Sequence, residues 1–192
     1  MREFAMEENM KENIKKNLPE RKLKSDIAVT IQDMMECREV RAFLQRQYID
    51  DYSVPVISFC MNIPGPVKTN DNILHGFESG KRAILSSLSS ENITVNATTE
   101  IHEKTGDELI LSASAPAEQL KNIATKIEES HPFGRLFDID VIDIDGQKLS
   151  RNIFRKCIIC DRQAQECARS RRHTVDEMFA KINEMLSSIE LC

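Results

Sequence analysis

A chain of 192 residues, 41% hydrophobic and 30% charged with only 6 Gly and 6 Pro, can bury a core of its own and is too varied for a low-complexity or collagen-like polymer. Its net charge of −5 argues against a generic nucleic-acid binder, and its longest apolar stretch, Val54 to Met61, falls far short of the roughly 20 residues of a membrane helix. Met1 to Asn17 lacks the apolar heart of a secretion signal, so a cytoplasmic protein with reduced cysteines and no membrane partner is expected.

Residues 1–24 are polar and interrupted by Pro19, which suggests a solvated extension ahead of a folded domain over 25–192. After Ser25 as a cap, Ile31, Met34, Met35, Val40, Phe43, Leu44 and Tyr48 recur at helical spacing and predict one helix over 26–50. Val54 to Met61 reads as a strand running into the shaped loop Pro64-Gly65-Pro66. Ile73 to Leu88 reads as a helix despite Gly76 and Gly80. Ile93 to Ile101 and Glu108 to Ala115 flank a hairpin signal at Thr105-Gly106-Asp107, and Pro116 opens a helix to about Ser130. Arg135 to Asp143 predicts a strand, Asp145-Gly146 a turn and Gln147 to Ser150 a short return strand. Thr174 caps a last helix over 174–190 with Met178, Ile182, Met185 and Ile189 as its stripe. Interleaved helices and strands without a repeat imply a single compact α+β or α/β domain, a mixed sheet flanked by helices.

Asp138 and Asp140 stand two apart on the predicted strand, so both leave one face while Phe137, Ile139 and Val141 enter the core. Paired carboxylates suit Mg²⁺; they also occur as the solvated face of a half-buried strand. Asp143 and Asp145 change parity and stay outside the pair. Further on, Cys157, Cys160, Cys167 and His173 offer three thiols and an imidazole within 17 residues. They suit a structural Zn²⁺, a set of buried small side chains with His173 on phosphate, or thiol chemistry. Cys37, Cys60 and Cys192 show no comparable grouping. The same stretch, 148–173, carries eight Lys and Arg, among them Arg151, Arg169, Arg171 and Arg172, against Asp161 and Glu166, a local charge of +6 that suits phosphate or an acidic protein. A solvated basic surface is the plain alternative.

Gly-Arg-Leu-Phe-Asp-Ile-Asp-Val at 134–141, Leu149-Ser150-Arg151 and Arg-Lys-Cys-Ile-Ile-Cys through Cys-Ala-Arg-Ser-Arg-Arg-His at 155–173 jointly resemble the holo-citrate lyase synthase family. Asn62 to Lys68 and a helix bearing Arg38, Arg41 and Gln45 look like its N-terminal half, so the resemblance covers roughly residues 25–190. It implies a nucleotidyltransferase-like enzyme that moves 2′-(5″-triphosphoribosyl)-3′-dephospho-CoA onto a serine of the citrate lyase acyl carrier (gamma) subunit and releases diphosphate. Asp138 and Asp140 would then hold Mg²⁺ for catalysis. Arg135 would clamp phosphate beside Gly134, and Lys68, Arg151, Arg169, Arg171, Arg172 and His173 would bind substrate. Asp140 is a candidate base, with His102 and His131 as weaker ones. A zinc-stabilised nucleic-acid or protein-interaction module is the competing expectation. No aromatic residue interleaves with the 155–173 basic run as base stacking requires.

Overall fold

The computed structural model describes residues 27–151 and 154–187, so Ser25, the N-terminal extension and Ile189 lie outside the described residues. The first helix, α1, spans Ile31–Tyr52 rather than starting at 26. The reason is a capping box: the Thr30 hydroxyl accepts from the Asp33 N–H at 3.1 Å while the Asp33 carboxylate accepts from the Thr30 N–H at 2.8 Å. Just upstream, the Val29 N–H donates to the Pro66 carbonyl at 2.8 Å and holds the chain out of the helix.

Strand β1 (Val56–Met61), helix α2 (Asp71–Ser90), the hairpin β2 (Val95–Glu103) and β3 (Gly106–Ala113), helix α3 (Ala117–Ser130) and strand β4 (Phe137–Ile142) follow. Gly106 and Asp107, expected in the turn, belong to β3, because Glu103 pairs with Gly106 and closes a tight loop on Lys104-Thr105. A 3-10 turn, Gly134–Leu136, takes the first residues expected of β4. The expected return strand is reduced to a bridge between Ile142 and Lys148. A short helix α4 (Ala164–Arg169) and the final helix α5 (Val175–Ser187) complete the described chain.

The sheet order is β2-β3-β1-β4, and every ladder is antiparallel. The α+β expectation holds, with an open antiparallel sheet where a mixed one was expected. One face carries Ile57, Phe59, Leu109, Leu111, Phe137, Ile139 and Val141, and is buried beneath α2, α3 and the Ile182 and Leu186 positions of α5. Gly80 permits that packing: a Cβ there would stand 2.5 Å from the Phe59 ring, so α2 can sit flat on the sheet only without one. The opposite face is covered in part by α1, whose Leu44 and Tyr48 pack on Val56 and Ile110. Among the described residues no helix is long and apolar enough to cross a membrane.

Candidate active site

Strand register builds the site. Asp138 pairs with Cys60 and Asp140 with Ser58 on β1, and Cys60 pairs in turn with Glu108 on β3. Because side chains alternate, all five leave the face that α1 half covers. α1 packs over β3 and β1, while Asp138 and Asp140 on the edge strand β4 remain part-exposed. The expected parity change is present as well: Asp143 accepts from the Ile144 N–H and Asp145 from the Gln147 N–H, so both shape the 143–147 turn and neither joins the pair.

Beneath α1, buried Glu108 accepts from Arg41 Nε at 2.8 Å and Nη2 at 2.5 Å, and from the Cys37 thiol at 2.8 Å. Arg41 is thereby held more firmly cationic, the Glu108 bonds outweighing burial. Burial pushes the Cys60 thiol up to about 12, against the opposing pull of Arg41 and with help from Asp138 and Glu108. Cys60 is therefore a neutral thiol at neutral pH. Lys68, at the end of the Pro-Gly-Pro loop, is half-buried, donates to the Ile63 carbonyl at 2.6 Å, and is pushed down by burial and by nearby Arg38. Lys148 stands 2.5 Å from Asp140 and is 58% exposed, so it can swing clear when another cation or a phosphate group arrives.

The outer edge of β4 is closed by side chains. Ile139 N–H donates to Glu128 at 2.9 Å, the Ile139 carbonyl accepts from Lys121 at 3.3 Å, and the Phe137 carbonyl accepts from Arg155 at 2.6 Å. Leu149 N–H completes the edge by donating to the Val141 carbonyl at 2.9 Å. These contacts occupy the outward carbonyls of Phe137, Ile139 and Val141 and the Ile139 N–H, so little of this edge is left for another strand. Glu128 is 2% exposed and ion-pairs with both Arg151 and Arg155. Arg151, expected at the substrate, is thus placed against α3. Burial lowers the pKa of Arg155, and Asp138 and Asp140 act in the opposite sense. Arg135 lies beside Arg155 and Cys157, where burial and then Arg155 lower its pKa. Gly134 is buried with its Cα against α3: a Cβ would fall 2.5 Å from the Glu128 carbonyl oxygen. Its close backbone approach is to that helix end.

The cysteine segment converges. Cys157, Cys160, Cys167 and His173 bring their ligand atoms within 4.8 Å of one another. Cys37, Cys60, Cys157, Cys160 and Cys167 are free thiols. Arg169, Arg171 and Arg172 are exposed on this segment, and Arg171 takes a left-handed φ of 47° that turns the chain back toward His173. The two other histidines weighed as bases lie across the sheet. His102 contacts Asp107 at 2.7 Å and the edge of Phe77, and His131 contacts Ser79 at 3.2 Å and packs on Phe137. Glu108 and Glu128 escaped the sequence reading, although a Glu next to the apolar Leu109-Ile110-Leu111 run, or beside Ile127 on an amphipathic helix, signals a buried charge that needs a partner.

Comparison with known proteins places these features in a family. The sequence pattern described as apo-citrate lyase phosphoribosyl-dephospho-CoA transferase matches residues 29–189. A probable apo-citrate lyase phosphoribosyl-dephospho-CoA transferase of Vibrio cholerae serotype O1 (strain M66-2) is 39% identical over 172 residues, 87% of this chain and 97% of its own. The apo-citrate lyase phosphoribosyl-dephospho-CoA transferases of Shigella boydii serotype 18 and Escherichia coli O157:H7 are each 31% identical over 179 residues, 91% of this chain and 97% of theirs.

Proposed function

The chain belongs to the apo-citrate lyase phosphoribosyl-dephospho-CoA transferase family, and on that premise we propose that it transfers the phosphoribosyl-dephospho-CoA group from its triphosphate precursor to a serine of the citrate lyase acyl carrier subunit in the cytoplasm. The observation that carries this reading is the pair Asp138 and Asp140 on the open face of β4, ringed by Lys148, Arg155 and Lys121. Hard carboxylate oxygens on one face suit Mg²⁺, which when bound by Asp138 and Asp140 would offset charge on the phosphate oxygens and the departing diphosphate. Residues of the chain supply the rest. Lys148 and Arg155 attract the triphosphate to the carboxylates, and Lys68, close to Arg38 and to the Cys60 that pairs with Asp138, adds to that positive rim. The serine oxygen forms a bond to the α-phosphorus as the bond to diphosphate breaks, and its proton passes to Asp140 or to solvent. With His102 and His131 across the sheet, Asp140 is the base this face offers. Family membership favours this reading over an interaction module.

Intact mass spectrometry of the apo carrier subunit, incubated with precursor, Mg²⁺ and this protein, should show the mass gain of one phosphoribosyl-dephospho-CoA group. No gain with verified substrates rejects the function. Asp138→Asn and Asp140→Asn should each lower transfer by about a hundredfold or more with the fold intact by circular dichroism. Full activity in both variants removes the metal role.

A further inference from the structure

The stretch from Phe154 to His173 is held by little apolar packing. Cys167 is its sole fully buried residue among those described, and Ile158 adds a partial contact with the core, while Phe154 is 73% exposed. Yet the segment is ordered by a dense local pattern. Cys157 N–H donates to the Arg162 carbonyl at 2.7 Å and Ala164 N–H to the Arg155 carbonyl at 2.8 Å, which folds Cys157-Ile158-Ile159-Cys160 into a tight knuckle. Arg172 N–H donates to the Cys167 carbonyl at 3.0 Å and brings His173 back over the knuckle. Hydrogen bonds between exposed backbone groups compete with water and fix such a loop poorly without a further tie.

The side chains this folding collects are three thiols and an imidazole. Cys160 Sγ lies 3.6 Å from Cys167 Sγ and 3.3 Å from His173 Nε2. A zinc ion with Zn–S of about 2.3 Å and Zn–N of about 2.0–2.1 Å has tetrahedral edges of about 3.8 Å between sulfurs and about 3.5 Å between sulfur and nitrogen. The observed separations are those edges within a few tenths of an ångström, and all four donors lie within 4.8 Å of one another. The Ile159 N–H, 3.5 Å from Cys157 Sγ, is directed at a sulfur that carries thiolate charge when ligated.

From this geometry we propose that Cys157, Cys160, Cys167 and His173 hold one structural zinc ion. Four protein donors close the tetrahedron, so the ion has no open position for substrate and acts as a staple. It ties the knuckle to the residue immediately before the Thr174 cap of α5, whose Val175 stands where a Cβ on Gly65 of the Pro-Gly-Pro loop would come within 3.1 Å of it. Arg135, which leads into β4, feels the charges of both Cys157 and Arg155, so the same staple holds the start of the basic segment near β4. The inference stands on the donor geometry and is independent of the transferase reading.

The test is elemental analysis of the full-length protein, purified under reducing conditions without chelator, followed by exchange with Co²⁺ alone. One zinc per chain is expected, together with the visible absorption of tetrahedral Co²⁺ and a thiolate-to-cobalt charge-transfer band. Cys160→Ser should lose stoichiometric zinc, and cleavage by trypsin within 154–173 should rise at least tenfold, while Cys37→Ser keeps the metal. Should Cys160→Ser prove insoluble, chelation of the wild-type protein gives the same proteolysis readout. A folded wild-type protein with less than a tenth of an equivalent of zinc and no tetrahedral cobalt spectrum overturns the proposal. So does a Cys160–Cys167 disulfide surviving in the reduced preparation.

Discussion

Glu128 shows how one residue fixes the chemistry around it. Its carboxylate is 2% exposed, receives the Ile139 N–H and pairs with Arg151 and Arg155, so it joins α3, the edge of β4 and the connection beyond it. Replacing it by Ala removes the carboxylate partner of two guanidinium groups and leaves a strand N–H unpaired, with Arg155 keeping only its bond to the Phe137 carbonyl. Glu128→Ala should therefore lower unfolding free energy by about 3–5 kcal/mol in urea titration, a loss typical of breaking a buried ion pair from one side. A change below about 1 kcal/mol removes the network from the account. Gly134 tests the same junction sterically: a Cβ 2.5 Å from the Glu128 carbonyl forces α3 and the 3-10 turn apart. Gly134→Ala should cost about 1–3 kcal/mol. If instead it keeps full stability and loses only precursor affinity, the glycine serves the ligand and not the helix end. Cys60 illustrates what single residues conceal. It looked incidental in the sequence, and register alone puts it opposite Asp138, where burial keeps its thiol protonated.

At the scale of elements, legibility followed periodicity. The period of two alone places Asp138 and Asp140 on one face, and the 3.6-residue period marks α2, α3 and α5 because each buries an apolar stripe. α4 has six residues, too few for a period to be visible, and the sequence reading passed over it. Glu108 and Arg41 meet across 67 positions, a pairing that only the docking of α1 on β3 creates. The start of α1 was misjudged because serine is the better cap by residue type alone, whereas the reciprocal Thr30–Asp33 bonds set the start at Thr30. That cap is testable by pH. The Thr30 N–H first, then Lys104, hold Asp33 down from 3.8 to about 2. A carboxyl whose folded pKa lies below its unfolded one stabilises the fold above the unfolded value and loses that contribution as pH falls through the folded one. Asp33→Asn should thus be less stable than wild type at pH 6, with the difference shrinking between about pH 3.8 and pH 2. A difference constant across that range refutes the cap as its source. Thr30→Ala should cost about 1 kcal/mol at neutral pH.

For the whole molecule, the net charge of −5 conceals a basic segment of +6 over 148–173 and leaves −11 for the remainder. Folding sets the start of that segment beside the carboxylate pair: Lys148 reaches Asp140 and Arg155 lies near Asp138 and Asp140, while the exposed Arg169, Arg171 and Arg172 follow the knuckle further along the chain. An acidic body repels a polyphosphate over most of its surface, so productive approach is confined to the basic side, and the field there raises encounter rates. Exposed arginines contribute through long-range attraction that salt screens over about 10 Å at 0.1 M. Changing Arg169, Arg171 and Arg172 together to Ser should therefore lower kcat/KM for transfer about tenfold at low salt, mainly through KM, with the deficit narrowing as ionic strength rises. Steady-state kinetics at two salt concentrations, varying the carrier subunit and the precursor in turn, identifies which of the two the arginines attract. A loss confined to kcat, equal at both salt concentrations, contradicts electrostatic guidance and places these arginines at the reacting phosphate instead.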